Sequence, residues 1–204
     1  MTNRANSSQG SSEPSRKVIV LGVGGGIAAY KVATVCSRLV QAGHEVRVIM
    51  TRASLQFVGT ATFAALAGSH VATDSFEEQA IWPLGPHIEL ADGADLLVVA
   101  PATANLLGQF ASGLAGDLLS TLYLQATCPV LLAPAMSNNM WMKPAVQRNV
   151  TQLRADGCHF VDPESGWLSC RQTGEGRMSE PEAIVESVQQ CLSGRQSGKD
   201  LPAS

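Results

Sequence analysis

The chain alternates between short runs of apolar residues and longer amphipathic stretches from residue 17 to residue 192. The apolar runs lack the in-out alternation of half-exposed strands, which is typical of strands buried on both faces of a parallel sheet. The predicted strands cover residues 17–23, 45–50, 95–100, 130–133 and 159–161. The predicted helices cover residues 27–42, 63–66, 106–111, 118–126, 144–155 and 181–192. This order predicts an α/β fold, a three-layer doubly wound parallel sheet of the Rossmann-like type.

The remaining segments lack a clear period. Residues 74–86 contain Trp82 and two prolines, and we interpret them as a loop or lid. Residues 163–178 are rich in glycine and are predicted to form a long loop. The polar segments 1–16 and 193–204 are predicted to be a disordered N-terminal tail and a mobile C-terminal tail. One domain, 17–192, is expected between them.

Composition narrows the class of protein. The 204 residues are 45% hydrophobic and carry a net charge of −3, which suits one globular domain and gives no sign of a nucleic-acid or membrane-surface partner. No apolar run is long enough to cross a bilayer, and no secretory signal is visible. The five cysteines are odd in number and form no C-x-x-C pair, so neither a disulfide framework nor a metal site is expected. A reducing cytoplasm fits this pattern.

Two polar segments that begin with proline follow predicted strands. Residues 101–105 come after the run 95–100, and residues 134–141 come after the run 130–133. In open α/β sheets, ligands bind beyond the carboxyl ends of the strands. Since both segments follow strand ends in one domain, they predict one shared site for a small molecule.

Three consecutive glycines, Gly24 to Gly26, follow the first predicted strand and open a helix, where an anion is favoured. A dinucleotide fingerprint matches poorly, because Ile27 stands where its third glycine belongs and the second strand ends in Thr51 rather than an acid. A mononucleotide phosphate remains compatible, with the Thr51 hydroxyl as a second anion contact. A tight βα turn without a ligand is the alternative interpretation of these glycines.

Five motifs occur in one order, at residues 25–31, 87–90, 101–105, 134–141 and 170–178. Together they resemble the homo-oligomeric flavin-containing cysteine decarboxylases, over roughly residues 17 to 190. The likeness is strongest to the branch that converts 4′-phospho-N-pantothenoylcysteine to 4′-phosphopantetheine in coenzyme A biosynthesis. The resemblance implies a Rossmann-like flavoprotein with FMN as cofactor and a small-molecule substrate. It also implies a homo-oligomer, a trimer or a dodecamer of trimers, with FMN at subunit interfaces.

The resemblance also assigns roles to individual residues. His87 and Cys170 would be catalytic, with His87 able to serve a neighbouring subunit and Cys170 donating a proton to an ene-thiolate carbon. The cofactor-binding residues would be Gly24, Gly25, Gly26, Thr51, Ala102, Thr103, Ala104, Asn105 and Met136. The substrate-binding residues would be Ser137, Asn138, Met140, Trp141, Arg171 and Arg177. Without the resemblance, His87 reads as an exposed loop residue and Trp141 as a cover for apolar surface.

Two positions depart from the family pattern. Ser137 stands where the family has an asparagine that is thought to bind the substrate carboxylate, and serine offers one hydroxyl instead of an amide. Asn138 could replace it after a small backbone shift. Arg171 follows Cys170 where the family usually has glycine, and it could supply the missing anion contact or indicate a different acidic substrate.

Two other functions therefore stay open. The first is oxidative decarboxylation of a C-terminal cysteine in a peptide, and the second is a non-catalytic flavin-binding regulatory subunit. Flavin prenyltransferases share the expected fold but would need neither the Met140-Trp141 segment nor Cys170.

Overall fold

The computed structural model of the chain describes residues 16–76 and 81–194. Six parallel strands form the main sheet in the order β3-β2-β1-β4-β5-β6. These strands are β1 (Val18–Val23), β2 (Glu45–Met50), β3 (Val71–Ala72), β4 (Leu96–Ala102), β5 (Val130–Pro134) and β6 (His159–Phe160). A separate antiparallel pair consists of β7 (Glu164–Trp167) and β8 (Thr173–Arg177).

Helices cover both faces of the main sheet. One face packs against α1 (Ala29–Gln41), α2 (Thr60–Ala67) and α8 (Pro181–Gly194). The other packs against α3 (Pro86–Ala91), α4 (Ala104–Ala111), α5 (Leu118–Gln125) and α7 (Pro144–Ala155). A short helix α6 (Asn138–Trp141) follows β5, and a 3-10 turn, Ser54–Gln56, follows β2. The predicted three-layer, doubly wound α/β fold is confirmed.

The central strands explain why the apolar runs do not alternate. Every residue of β4 and β5 is buried, because helices cover both sides of these strands. The strand order reverses between β1 and β4, which lie side by side at the centre of the sheet. In sheets of this type, the crevice at that reversal lies beyond the carboxyl ends of the strands and is where ligands bind. The fold therefore brings the ends of β1, β4 and β5 to one edge.

Several local predictions were wrong. The predicted loop over 163–178 contains the β7–β8 pair, which we name the clamp hairpin. Two predicted loop regions contain short helices, α3 and α6, and β3 was not predicted. Ser193 belongs to α8 instead of starting a tail, while residues 1–15 and 195–204 of the predicted tails lie outside the described residues.

Two properties of the described residues bear on function. None of their helices is both long and apolar enough to cross a bilayer. In the same residues, no group of three or more His, Cys, Asp or Glu side chains is arranged to hold a metal ion.

Candidate functional site

A cavity of about 430 Å³ opens at the carboxyl edge of the sheet, beside the ends of β1, β4 and β5. Predicted cofactor-binding residues in its lining are Gly25, Gly26, Thr103, Ala104 and Met136. Predicted substrate-binding residues in its lining are Ser137, Met140 and Arg177. The cavity lies where the fold predicts a ligand, and its volume falls within the roughly 300–1,000 Å³ of small-molecule sites.

The glycine turn after β1 forms one wall. Gly25 and Gly26 line the cavity, whereas Gly24 packs beneath it, so close to β4 that a Cβ would lie 2.0 Å from the Pro101 carbonyl oxygen. At Gly26 a Cβ would meet nothing nearer than 3.7 Å, so space remains on that side. Helix α1 begins at Ala29 and places its N-terminus, the end that attracts anions, at this wall.

The other predicted cofactor residues lie outside the cavity lining. Thr51 is buried, and its hydroxyl donates to the Val23 carbonyl at 3.3 Å and accepts from the Ser54 N–H at 3.2 Å. Ala102 is buried at the end of β4, and Asn105 is exposed on α4. Thr103, in the lining, caps α4 by accepting from the Leu106 N–H at 3.3 Å.

The segment after β5 forms the opposite wall. Ser137 faces the cavity as the first residue before α6, and its side chain makes no capping hydrogen bond. The neighbouring Asn138 is not part of the cavity lining, and its Oδ1 accepts the Glu175 N–H of β8 at 3.0 Å. Trp141 packs against the core on the α3–α7 face, and its carbonyl accepts from Gln147 at 2.7 Å. Trp141 therefore covers apolar surface in this chain.

The clamp hairpin closes the third side of the cavity with Trp167, Leu168 and Ser169. Cys170 follows these residues in the turn and is exposed as a free thiol, outside the cavity lining. Arg171 is also exposed there, with a left-handed φ of 63° that is uncommon for a residue with a side chain. The thiol thus lies on a turn beside the cavity mouth.

A charged cluster joins the base of the clamp hairpin to α1. Lys31 lines the cavity with only 10% of its side chain exposed, and its Nζ donates to Glu180 at 3.0 Å and to the Met178 carbonyl at 3.3 Å. Arg177 also pairs with Glu180. The Lys31 hydrogen bond, reinforced by the positive charges of Lys31 and Arg177, lowers the pKa of the Glu180 carboxyl. Two cations and one carboxylate leave a net positive charge at this wall.

His87 lies on α3, outside the cavity lining. Helix α3 precedes β4 on the face that also carries α4, α5 and α7, and His87 is the second residue of this helix. The Nδ1 atom of His87 is buried and has no hydrogen-bond partner among the described residues. Within the described residues, His87 does not reach the cavity of its own chain.

Arg47 of β2 anchors the far end of α3. Its guanidinium is oriented by Glu45 at 2.9 Å and donates to three carbonyls at the helix C-terminus. These belong to Glu89, Leu90 and Asp92, at 3.1, 3.4 and 2.7 Å. A cation at that end of the helix satisfies carbonyls that the helix itself leaves free.

Sequence reasoning assigned no role to several lining residues. Lys31 belongs to the motif at residues 25–31 and lines the cavity. The sequence signal that could have identified it is a charged residue next to the buried positions of α1. Tyr30, Ala135 and Trp167 also line the cavity. Trp167 carried no usable signal because the clamp hairpin had been predicted as a loop.

The thiols differ sharply in their surroundings. Cys36 is fully buried, and burial raises the pKa of its thiol to about 11. Burial also raises the pKa of Cys158 and of Cys191. Cys170, in contrast, is exposed, so it is the thiol best placed to react with a ligand.

Comparison with known proteins places the chain in a family. The bifunctional coenzyme A biosynthesis protein CoaBC of Bacillus subtilis (strain 168) is 49% identical over 168 residues, 82% of this chain and 41% of that protein. The chain thus spans about two fifths of the length of this curated relative.

Two solved structures share the fold. One is a cysteine-to-serine mutant of PPC decarboxylase complexed with pantothenoylaminoethenethiol, with a TM-score of 0.78 and 31% identity over 87% of this chain and 99% of that one. The other is the FMN-dependent cysteine decarboxylase SpaF, with a TM-score of 0.72 and 34% identity over 86% and 97%. The family model described as Flavoprotein matches residues 6–193. The chain therefore belongs to the Flavoprotein family.

Proposed function

We propose that this protein is an FMN-dependent decarboxylase that converts 4′-phospho-N-pantothenoylcysteine to 4′-phosphopantetheine in coenzyme A biosynthesis. The observation that carries the proposal is the convergence of motifs on one cavity. The glycine turn, Thr103, the Ser137 segment and the clamp hairpin are far apart in sequence but line the same space. The similarity to CoaBC and to PPC decarboxylase supports the same substrate.

The cavity walls fit FMN in both shape and chemistry. The start of α1 and the net positive charge around Lys31 favour the phosphate. Apolar atoms of Ala104 and Met136 favour a flat aromatic ring system, and the missing side chain at Gly26 leaves room for it. SpaF, 34% identical, is itself FMN-dependent. We expect Gly25, Gly26, Thr103, Ala104 and Met136 to hold the cofactor.

When bound, FMN supplies the reversible two-electron chemistry that a carboxylate beside a thiol needs before it can lose CO₂. The chain's own residues bind, orient and protonate. Ser137 would contact the substrate carboxylate with its unpaired hydroxyl, and the positive wall around Lys31 would favour the same charge. Cys170 would deliver a proton to the carbon from which CO₂ has left, and His87 would act as the catalytic histidine.

The position of His87 supports an oligomeric enzyme. His87 does not line the cavity of its own chain, and its Nδ1 atom has no hydrogen-bond partner among the described residues. Large apolar side chains near the cavity are exposed, among them Ile27 at 56% and Tyr30 at 61%. We therefore propose a homo-oligomer, a trimer or a dodecamer of trimers, in which His87 serves a neighbouring cavity. Five free cysteines support a reducing, cytoplasmic location.

The test is anaerobic incubation of the purified yellow protein with phosphopantothenoylcysteine, followed by mass spectrometry. We expect the substrate to lose CO₂ and nothing else. The matched variant His87→Asn should stay yellow and release no CO₂. A yellow wild-type protein that leaves this substrate intact but decarboxylates a peptide ending in cysteine would overturn the proposed substrate. Inertness toward both would favour a flavin-binding regulatory subunit.

A further inference from the structure

We propose that Asn138 is a positioning residue that holds the clamp hairpin over the cavity, so that Cys170 can protonate the decarboxylated substrate. The inference rests on the proposed function. It concerns a side chain beside Ser137 that contacts neither cofactor nor substrate in the proposed scheme. Asn138 would act through the hairpin it binds.

The first support is a direct contact between α6 and β8. The Asn138 Oδ1 accepts the backbone N–H of Glu175 at 3.0 Å. The same side chain packs on Gly174 so tightly that a Cβ there would lie 2.8 Å from the Asn138 Cβ. The amide is thus hydrogen-bonded to β8 and its side chain is packed closely against Gly174, which fixes it against the strand.

The second support is a neighbouring backbone contact. The Met136 N–H donates to the Gly176 carbonyl at 2.9 Å. Gly176 has a φ of 106°, and a Cβ there would lie 2.5 Å from the Met136 carbonyl oxygen. The segment that carries Ser137 and the strand that supports the hairpin therefore run side by side, tied at two successive points.

The hairpin transmits this position to Cys170. Its turn is closed by hydrogen bonds from the Leu168 N–H to the Gln172 carbonyl and from the Arg171 N–H to the Leu168 carbonyl, both 2.9 Å. Its strands pair with each other and with no strand of the main sheet among the described residues. A closed turn on a separate hairpin moves as a unit, so the tie at Glu175 helps to set where the thiol lies.

Loss of the Asn138 acceptor would leave the Glu175 N–H without this partner and loosen the hairpin. CO₂ release does not need the Cys170 proton, but formation of the saturated product does. The loosened enzyme should therefore release more ene-thiol, the substrate minus CO₂ and two hydrogens. The two electrons of those hydrogens then stay on the flavin, so the fraction of bleached flavin must equal the fraction of ene-thiol.

The test compares Asn138→Leu, which removes the acceptor at similar size, with Asn138→Asp, which keeps it. Glu175→Gln is the control, because it alters an exposed side chain and leaves the backbone N–H in place. Each yellow variant undergoes one anaerobic turnover, with the two products measured by mass spectrometry and the flavin by absorbance. Asn138→Ala serves if the leucine variant does not fold.

We expect Asn138→Leu to raise the ratio of ene-thiol to saturated product about fivefold, the factor for one lost hydrogen bond. Asn138→Asp and Glu175→Gln should keep the wild-type ratio. An unchanged ratio in Asn138→Leu, or an equal fall in both products, would overturn the positioning role. A wild-type protein that releases no CO₂ would instead overturn the proposed function.

Discussion

Gly24 touches the Pro101 carbonyl so closely that a Cβ on the glycine would lie 2.0 Å from that oxygen. This contact joins the turn after β1 to the end of β4, the two central strands of the sheet. Because the neighbouring atom is backbone, it cannot move aside as a flexible side chain would. The absence of a side chain at Gly24 is therefore a packing requirement beneath the cavity.

The first prediction compares two glycines of the same turn, one that packs against β4 and one that lines the cavity. Gly24→Ala should lower the free energy of unfolding by about 1–3 kcal/mol, because it overpacks the contact between the turn after β1 and the end of β4. Gly26→Ala should unfold like the wild type, since its Cβ would find ordinary distances of 3.7 and 3.9 Å. Urea unfolding of both variants checks this. Equal destabilisation by the two changes would contradict the assignment.

The second prediction concerns the substrate carboxylate. Ser137→Asn should raise kcat/KM for phosphopantothenoylcysteine, because an amide offers two donors where the hydroxyl offers one. Ser137→Ala should lower it by about tenfold, as expected for a lost hydrogen bond to a charged group. Steady-state kinetics on yellow protein provide the measurement. If Ser137→Ala turned over normally, Ser137 would not contact the substrate.

The third prediction follows from His87 lying outside the cavity lining. His87→Asn alone should be inactive, and Cys170→Ser alone should stop at the ene-thiol. Oligomers reassembled from a mixture of the two variants should form saturated product, because some cavities would receive His87 from one chain and Cys170 from the other. Product is measured after mixing and dialysis from mild denaturant. A mixture that stayed as deficient as its components would place both groups on one chain.

The fourth prediction uses the contrast between thiols. In the native protein near pH 8, iodoacetamide should label Cys170 first, because that thiol is exposed. Cys36 should stay unlabelled, since burial raises its pKa to about 11 and blocks access. Peptide mass spectrometry identifies the labelled residue. Faster labelling of Cys36 than of Cys170 would contradict the structure.

The fifth prediction concerns pH and the Glu180 ion pairs. The pKa of Glu180 is lowered in the folded protein, so its stabilisation is present above the ordinary glutamate pKa, about 4.3. It is lost as the pH falls through the lowered value. Because 43% of the side chain is exposed, the contribution should not exceed about 1 kcal/mol. Glu180→Gln should therefore be less stable than wild type at pH 7, and the difference should narrow as the pH is lowered below the ordinary glutamate pKa, as measured by urea unfolding.

The sequence predicted the main sheet well because burial on two faces leaves a clear apolar signal. Helix α7 was predicted at residues 144–155, with the bounds that the structure has. The switch-point cavity also followed from the pattern, since the polar segments after β4 and β5 had to meet at one edge.

The missed elements depend on contacts that a local pattern does not contain. β7 and β8 are short, glycine-rich and mostly exposed, so nothing in their apolar spacing separates them from a loop. Helix α3 has six residues, and its C-terminus is capped from β2 by Arg47, which lies more than 40 positions earlier in the chain. The hydrogen bond from the Glu175 N–H to the Asn138 amide was not predicted, because Glu175 belongs to the unpredicted hairpin.

The separation of the clamp hairpin from the main sheet has an evolutionary consequence. Since β7 and β8 pair only with each other among the described residues, insertions or exchanges in their turn leave the register of the six parallel strands unchanged. The half of the site built on β1, β4 and β5 can then remain constant while the hairpin diverges. Arg171, a departure from the family pattern, lies in that turn. Selection for a different acidic ligand could therefore change a few residues of the hairpin without altering the six-stranded sheet.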